Sequence, residues 1–175
     1  CRMDFNTEDC SFGTEVDTLY NARTGGRSVS FPRISPDGRF LVYALSDYGN
    51  FSIWHKDSDL YSIDLRTGET SCMEALNSSD VESYHSWSGN SRWLAFSTRR
   101  DDGLYTKPYF SYIDGDGNAH KPFLLPQRDP RRYYESQMYS YNIPEFVSAK
   151  VALKGSDIAA FARSGEAHKI GFERK

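Results

Sequence analysis

The residues able to do chemistry gather in two stretches. The first, residues 46–59, holds Tyr48, Phe51, Trp54 and His55 among Asp47, Lys56, Asp57 and Asp59. The second, residues 99–108, holds Arg99, Arg100, Asp101, Asp102, Tyr105 and Lys107. Aromatic rings interleaved with charge suit recognition of a surface rather than bond making, since Trp, Tyr and Arg are the usual binding anchors. Tyr48, Trp54, His55 and Arg100 are therefore candidate contacts for a protein or peptide, with a glycan as an alternative partner. The ordinary alternative folds Phe51 and Trp54 down as a small satellite core.

Catalytic patterns are absent from the sequence. There is no G-x-S-x-G, H-E-x-x-H or G-x-x-x-x-G-K-[ST]. The carboxylates at Asp101-Asp102, and at Asp57 and Asp59, sit in loops rich in other charges, where solvation is expected and no acid–base pair forms. His85 stands apart from His55, His120 and His168, which are expected to be exposed; one imidazole does not hold a metal that needs three or four ligands. Asp114-Gly115-Asp116-Gly117-Asn118 spaces oxygens like the start of a calcium loop, but Ala119 replaces the required Gly and Leu125 the closing Glu, so a glycine-rich turn is expected. Cys1, Cys10 and Cys72 show no C-x-x-C spacing, leaving buried, unpaired thiols as the expectation. No metal or cofactor is implied.

The elements that position these residues come from an internal repeat. Ile34-Ser35-Pro36-Asp37-Gly38-Arg39-Phe40-Leu41-Val42-Tyr43-Ala44 matches Trp87-Ser88-Gly89-Asn90-Ser91-Arg92-Trp93-Leu94-Ala95-Phe96-Ser97, with Ser88 53 residues after Ser35. Leu60-Tyr61-Ser62-Ile63 and Gly68 answer Tyr109-Phe110-Ser111-Tyr112 and Gly117 at an offset of 49. Each copy is a turn of Pro, Asp, Asn, Ser or Gly that leads into an apolar run fit for a strand buried on both faces. A strand with alternating character follows. Four short strands in about 50 residues mark a propeller blade.

The reading is all-β: a partial β-propeller of about two and a half four-stranded blades with a short helical tail. Residues 1–25 end one blade, 26–76 and 77–126 form two more, 127–147 form an irregular packing segment, and 148–175 form the tail. Inner strands are placed at 28–34 and 82–87, second strands at 39–45 and 92–98, third strands at 60–65 and 109–113, and outer strands near 70–76 and 119–125. Ile143 and Phe146 are expected to anchor the packing segment. A helix over 155–165, with Ser156 as N-cap and Gly165 as stop, is expected to dock on a blade or lead to a partner. The opening residues read as mid-strand, so the chain is expected to be part of a longer protein. Two and a half blades would leave two open flanks, to be covered by further sequence or by self-association.

Length and composition fit this. The 175 residues carry a net charge of −3, and 15% of them are aromatic. So many large rings exclude a disordered chain. No apolar run of about 20 residues exists to span a membrane. No basic stripe invites nucleic acid.

Residues 31–43, Phe31-Pro32-Arg33-Ile34-Ser35-Pro36-Asp37-Gly38-Arg39-Phe40-Leu41-Val42-Tyr43, resemble the SPDG-bearing repeat of TolB-type propellers, and residues 59–69 resemble its end. The second copy departs from it, with Gly89-Asn90-Ser91 in place of Pro-Asp-Gly. Asp57-Ser58-Asp59-Leu60-Tyr61, Glu82-Ser83-Tyr84-His85-Ser86-Trp87-Ser88 and Tyr141-Asn142-Ile143-Pro144-Glu145-Phe146 are similar to the final blades of a TolB-like group in envelope proteins of Bacteroides-type bacteria. The resemblance implies an extracytoplasmic, periplasmic or envelope setting; taken with the loop residues above, the reading is a non-catalytic binding scaffold. In similar propeller lyases, channel histidines from several blades hold a metal. Here Pro32 stands where a second such His would be, so His85 and Arg33 are expected to line the channel without one. Such blades also gate or form part of hydrolases and lyases, and an enzyme whose catalytic residues lie outside this chain is the alternative.

Overall fold

The computed structural model describes residues 1–165; His168, expected to be exposed, lies outside them. Among the described residues, ten strands form three antiparallel sheets. A hairpin of β1 (Arg2–Asn6) and β2 (Ser11–Asp17) comes first. Next is a four-stranded sheet in chain order, β3 (Ser28–Ile34), β4 (Phe40–Ser46), β5 (Asp59–Asp64) and β6 (Thr70–Cys72). The second such sheet is β7 (Glu82–Trp87), β8 (Trp93–Thr98), β9 (Lys107–Tyr112) and β10 (Phe123–Leu124). These are propeller blades, each running from an inner to an outer strand. Short helices α1 (Ala22–Gly25), α2 (Pro130–Glu135) and α3 (Gly155–Arg163) lie outside the sheets.

The repeat is visible bond by bond. In the first blade the Ser35 hydroxyl donates to the Asp37 carboxylate at 2.6 Å and accepts the Phe40 N–H at 2.9 Å. In the second, Ser88 donates to Asn90 Oδ1 at 2.7 Å and accepts the Trp93 N–H at 2.9 Å. Asn therefore supplies the acceptor that Asp supplies in the first copy, which is why the turn survives the change of sequence. Gly38 and Ser91 occupy the same left-handed position, with φ of 75° and 58°. Both inner strands also carry a bulge at one place, with Phe31 at φ 53° and Tyr84 at φ 48°. Paired bulges on non-glycine residues, 53 positions apart, are features of the blade rather than accidents. Their rings pack across the junction at 4.5 Å between centroids.

The apolar runs decide where the core lies. All of β4 is buried. Val42 and Ala44, with Leu60 and Leu76, face Leu94, Phe96 and Ile113 of the second blade. Leu41, Tyr43 and Leu45 point the other way and pack with Ile63, Leu19 and Tyr20. Full burial of each such side chain is worth about 1.5–3 kcal/mol. Gly117 shows how closely the blades meet: its φ is 87°, and a Cβ there would stand 2.4 Å from the Phe40 ring of the other blade.

Several boundaries and contacts differ from expectation. The outer strands stop early, at Cys72 in the first blade and at a two-residue β10 in the second. Short outer strands leave little edge to pair with another chain. All three cysteines are unpaired as expected but exposed, not buried. The last helix starts after Lys154, so Ser156 lies inside its first turn; Gly165 follows the helix at φ 72° as its stop. That helix docks on nothing described: none of its residues is buried, and Ile158 and Phe161 are exposed.

The expectation of two open flanks needs correction. The far face of the second blade is covered by the chain itself. The Ser97 hydroxyl donates to the Tyr141 and Asn142 carbonyls at 2.7 and 2.9 Å, and the Ser86 hydroxyl to the Pro144 carbonyl at 2.7 Å. The Tyr141 N–H donates to the Thr106 carbonyl at 3.0 Å. Phe146 packs on Phe110, but Ile143, the other expected anchor, is exposed. Small hydroxyl residues on β7 and β8 let the segment lie close and bond its carbonyls.

Candidate functional site

The long loop between β4 and β5 is built as a rigid support for its rings. The Asp57 carboxylate accepts the Asp47 N–H at 2.6 Å, closing the base of the loop. That bond, with Arg27 nearby, holds the Asp57 carboxyl below the usual carboxylate range against the cost of burial. Arg27 also pairs with Asp47 at 3.1 Å. Above this base, Gly49 passes so near Ser28 that a Cβ would stand 2.8 Å from its side chain. A 3-10 turn over Ser52–Trp54 buries Ser52 and Ile53. The loop thus has its own buried anchor, but it is Ile53 and not the rings.

Tyr48, Phe51 and Trp54 stand 61%, 72% and 63% exposed, so the satellite-core alternative is not what forms. Across the same end of the blades, Leu104 of the β8–β9 loop is 67% exposed. Arg99 joins the two loops. Its guanidinium donates to the Trp54 carbonyl at 3.2 Å, lies 5.1 Å from the centroid of the Trp54 ring, and pairs with buried Asp80 at 3.2 Å. A cation under one face of the indole fixes the ring while leaving the other face to solvent.

The remaining candidates are engaged within the fold. His55 lies against Tyr48 with ring centroids 5.7 Å apart and bonds the Asn50 carbonyl through Nε2 at 3.0 Å, bracing Tyr48. Arg100, expected as a surface contact, is a staple. It reaches Glu82 at 2.9 Å and Thr98 at 3.3 Å, bonds the Leu76 carbonyl, and covers the Tyr109 ring at 4.8 Å. Glu82 is buried and also accepts from Ser78 Oγ at 2.7 Å and Thr98 Oγ1 at 2.8 Å. Burial pushes its carboxyl above the ordinary value, while these donors and Arg100 hold it back. Asp101 and Asp102 grip Lys107 at 3.4 and 2.9 Å. They are a clamp for a lysine, not an acid–base pair.

His85 is buried at the junction between blades rather than turned to a channel. Its Nε2 bonds the Val42 carbonyl of the first blade at 2.8 Å, and Nδ1 has no partner among the described residues. Burial lowers its pKa to about 4, so the ring is neutral at physiological pH. Arg33 does remain partly exposed; it pairs with Glu145 of the covering segment at 3.2 Å, and its carbonyl accepts the Trp87 indole N–H at 3.2 Å. Asp114 accepts from the Asp116 and Asn118 N–H groups at 2.9 Å each, the turn expected there. No three His, Cys, Asp or Glu side chains converge to hold a metal among the described residues. No described helix is long and apolar enough to cross a membrane.

Leu104 and Arg99 also contribute to this surface, and neither stands out in the sequence. Leu104 sits in a charged loop with no pattern around it to mark it. Arg99 and Arg100 are neighbours just past the end of β8, and their side chains part, the first to the loops and the second to the core.

No family model matches the chain, and no curated protein matches it. Among solved structures it is similar to the β-propeller domain of the Trilobed protease from Pyrococcus furiosus, described as having an open velcro topology. Identity is 22%, the TM-score is 0.39, and the match covers 57% of this chain. The chain accounts for only 30% of that structure's length, and the likeness is one of fold.

Proposed function

We propose that this chain is a non-catalytic binding scaffold that recognises a protein or peptide through the loops at one end of its two blades. Tyr48, Phe51, Trp54 and Leu104 make the contact surface, with His55 and Arg99 holding the rings in place. One observation carries the reading: three aromatic side chains stand exposed on a loop whose backbone is tied down on both sides. Exposed rings on a mobile loop would lose their ordering entropy on binding, whereas rings already fixed do not. Resemblance of the repeats to TolB-type envelope proteins supports a periplasmic or cell-envelope setting for that partner.

Selection from a displayed random-peptide library against the immobilised protein tests the reading. Peptides should be enriched whose binding Phe51→Ala and Trp54→Ala each weaken at least about tenfold, near 1.4 kcal/mol. Both positions are exposed, so the variants should fold. Failure to enrich any sequence, or peptides indifferent to both substitutions, would refute it. A glycan bound in a Trp54-dependent way would keep the surface and change the ligand class.

A further inference from the structure

We infer that the cleft between the two complete blades, beside the β5–β6 and β9–β10 turns, binds a linear oligoamine: ammonium groups carried at intervals on an alkyl chain. The site lies at the other end of the strands from the aromatic loop. It goes beyond the loop surface and does not depend on it.

Strand parity opens the cleft. Val42, Ala44 and Leu60 face the second blade and pack with Leu94 and Phe96. Further along the same face, β5 carries Ser62 and then Asp64. Polar side chains do not join that core, and a cleft of about 380 Å³ opens between the blades. Buried Phe40 and Met73 give it an apolar floor. Glu69 and Glu74, on either side of β6, and Asp116 of the β9–β10 turn give it acidic walls. Among the described residues no Lys, Arg or His lines it.

Most of this charge is uncompensated. Asp64 is matched, by Arg39 at 3.1 Å and Arg66 at 3.6 Å. Arg39 also bonds the Gly115 carbonyl, tying one wall to the other. Glu69, Glu74 and Asp116 have no ion pair and no side-chain hydrogen bond among the described residues. An independent sign of a ligand is Ser62. It is only 9% exposed and lines the cleft, yet its hydroxyl has no hydrogen-bond partner among the described residues. A nearly buried hydroxyl left unmade is costly, and a ligand N–H would satisfy it.

The spread of the carboxylates decides the ligand class. No three His, Cys, Asp or Glu side chains converge to hold a metal among the described residues. Charge distributed along a cleft fits several compact cations joined by methylenes. Each ammonium offers rotatable donors to a carboxylate, while the stem lies on Phe40 and Met73. A free polyamine and the lysines of a peptide share this chemistry.

Isothermal titration of the full 175-residue protein with spermidine, and separately with an acetylated, amidated tri-lysine peptide, tests the proposal. Saturable binding of at least one is expected, with a Kd below about 1 mM at low salt, weakening steeply as salt rises to about 0.5 M. Glu69→Gln, Glu74→Gln and Asp116→Asn should each weaken it about two- to fivefold, and the three together at least about tenfold. None of these side chains braces the fold, so the variants should fold, which circular dichroism checks. Ser62→Ala should weaken binding at least about threefold without destabilising the free protein. Trp54→Ala should leave binding unchanged. Tighter binding of spermidine assigns the site to free polyamines, and tighter binding of the peptide to a lysine-rich segment; either keeps the proposal. No saturation by either probe up to about 5 mM, an equal loss in Glu8→Gln on the distant β1–β2 turn, or tighter binding of Mg²⁺ than of both amines would each overturn it.

Discussion

Replacing Arg100 by alanine separates a structural staple from a surface contact. Glu82 is buried against Arg100, and the variant leaves its carboxylate with only the neutral donors of Ser78 and Thr98. Breaking a buried ion pair from one side costs about 3–5 kcal/mol. Arg100 is not itself fully buried, so the low end, about 3 kcal/mol, applies, with the lost cover on Phe96 and Tyr109 included. For a chain of this size that is a fall of about 6–12 °C in melting temperature. Removing both charges together, Arg100→Met with Glu82→Gln, should recover most of the loss, because no unpaired charge remains. The deficit should also shrink as pH falls. The Glu82 carboxyl is already raised by burial and rises further without Arg100, so below that value the variant holds a neutral acid. Urea unfolding followed by circular dichroism at pH 7 and pH 5 reads all three effects. A variant within about 0.5 kcal/mol of the parent that instead loses the library-selected peptides would show Arg100 acting at the surface and refute the reasoning.

Three further outcomes follow from the same geometry. His85 carries a pKa of about 4 in the fold against 6.5 when unfolded. The unfolded chain therefore binds the proton more readily, and stability is lost as pH falls from about 6.5 to about 4. That one group contributes at most about 3 kcal/mol, and unfolding curves of His85→Gln should show a shallower acid limb; equal limbs would contradict it. Gly117→Ala places a Cβ against the Phe40 ring at a left-handed backbone position, so a loss of about 2–4 kcal/mol is expected, and a neutral effect would mean the blades are not in register there. The exposed cysteines should all react with a thiol reagent in the folded protein; protection of Cys72 would contradict the short outer strand at which it sits.

Much of the architecture was legible because the repeat states it twice. Ser35 and Ser88 perform one job in two sequences, and the unbroken apolar runs after them could only be strands covered on both faces. What periodicity does not carry is the destination of single side chains. Arg99 and Arg100 read alike, and only the buried partners Asp80 and Glu82 decide which arginine braces a loop and which pins the core. His85 sits on the inner strand that the repeat predicts, and beside the bulge at Tyr84 its ring turns into the blade junction. The composition of the covering segment marks it as irregular packing, but its anchoring through Ser86 and Ser97 rests on small residues that carry no pattern of their own. The exposure of Phe51 and Trp54 depended on Ile53 taking the buried place, a choice among three neighbours that composition does not rank.

Native-state hydrogen exchange of the 46–58 loop bears most directly on recognition by a prearranged aromatic surface. The N–H groups of Asp47, Trp54, His55 and Ser58 each donate a hydrogen bond within the fold. They should exchange at least about a hundredfold more slowly than unstructured peptide. Exchange of these four at unprotected rates, with β4 protected throughout, would mean a loop that is ordered only by its partner and would contradict the account.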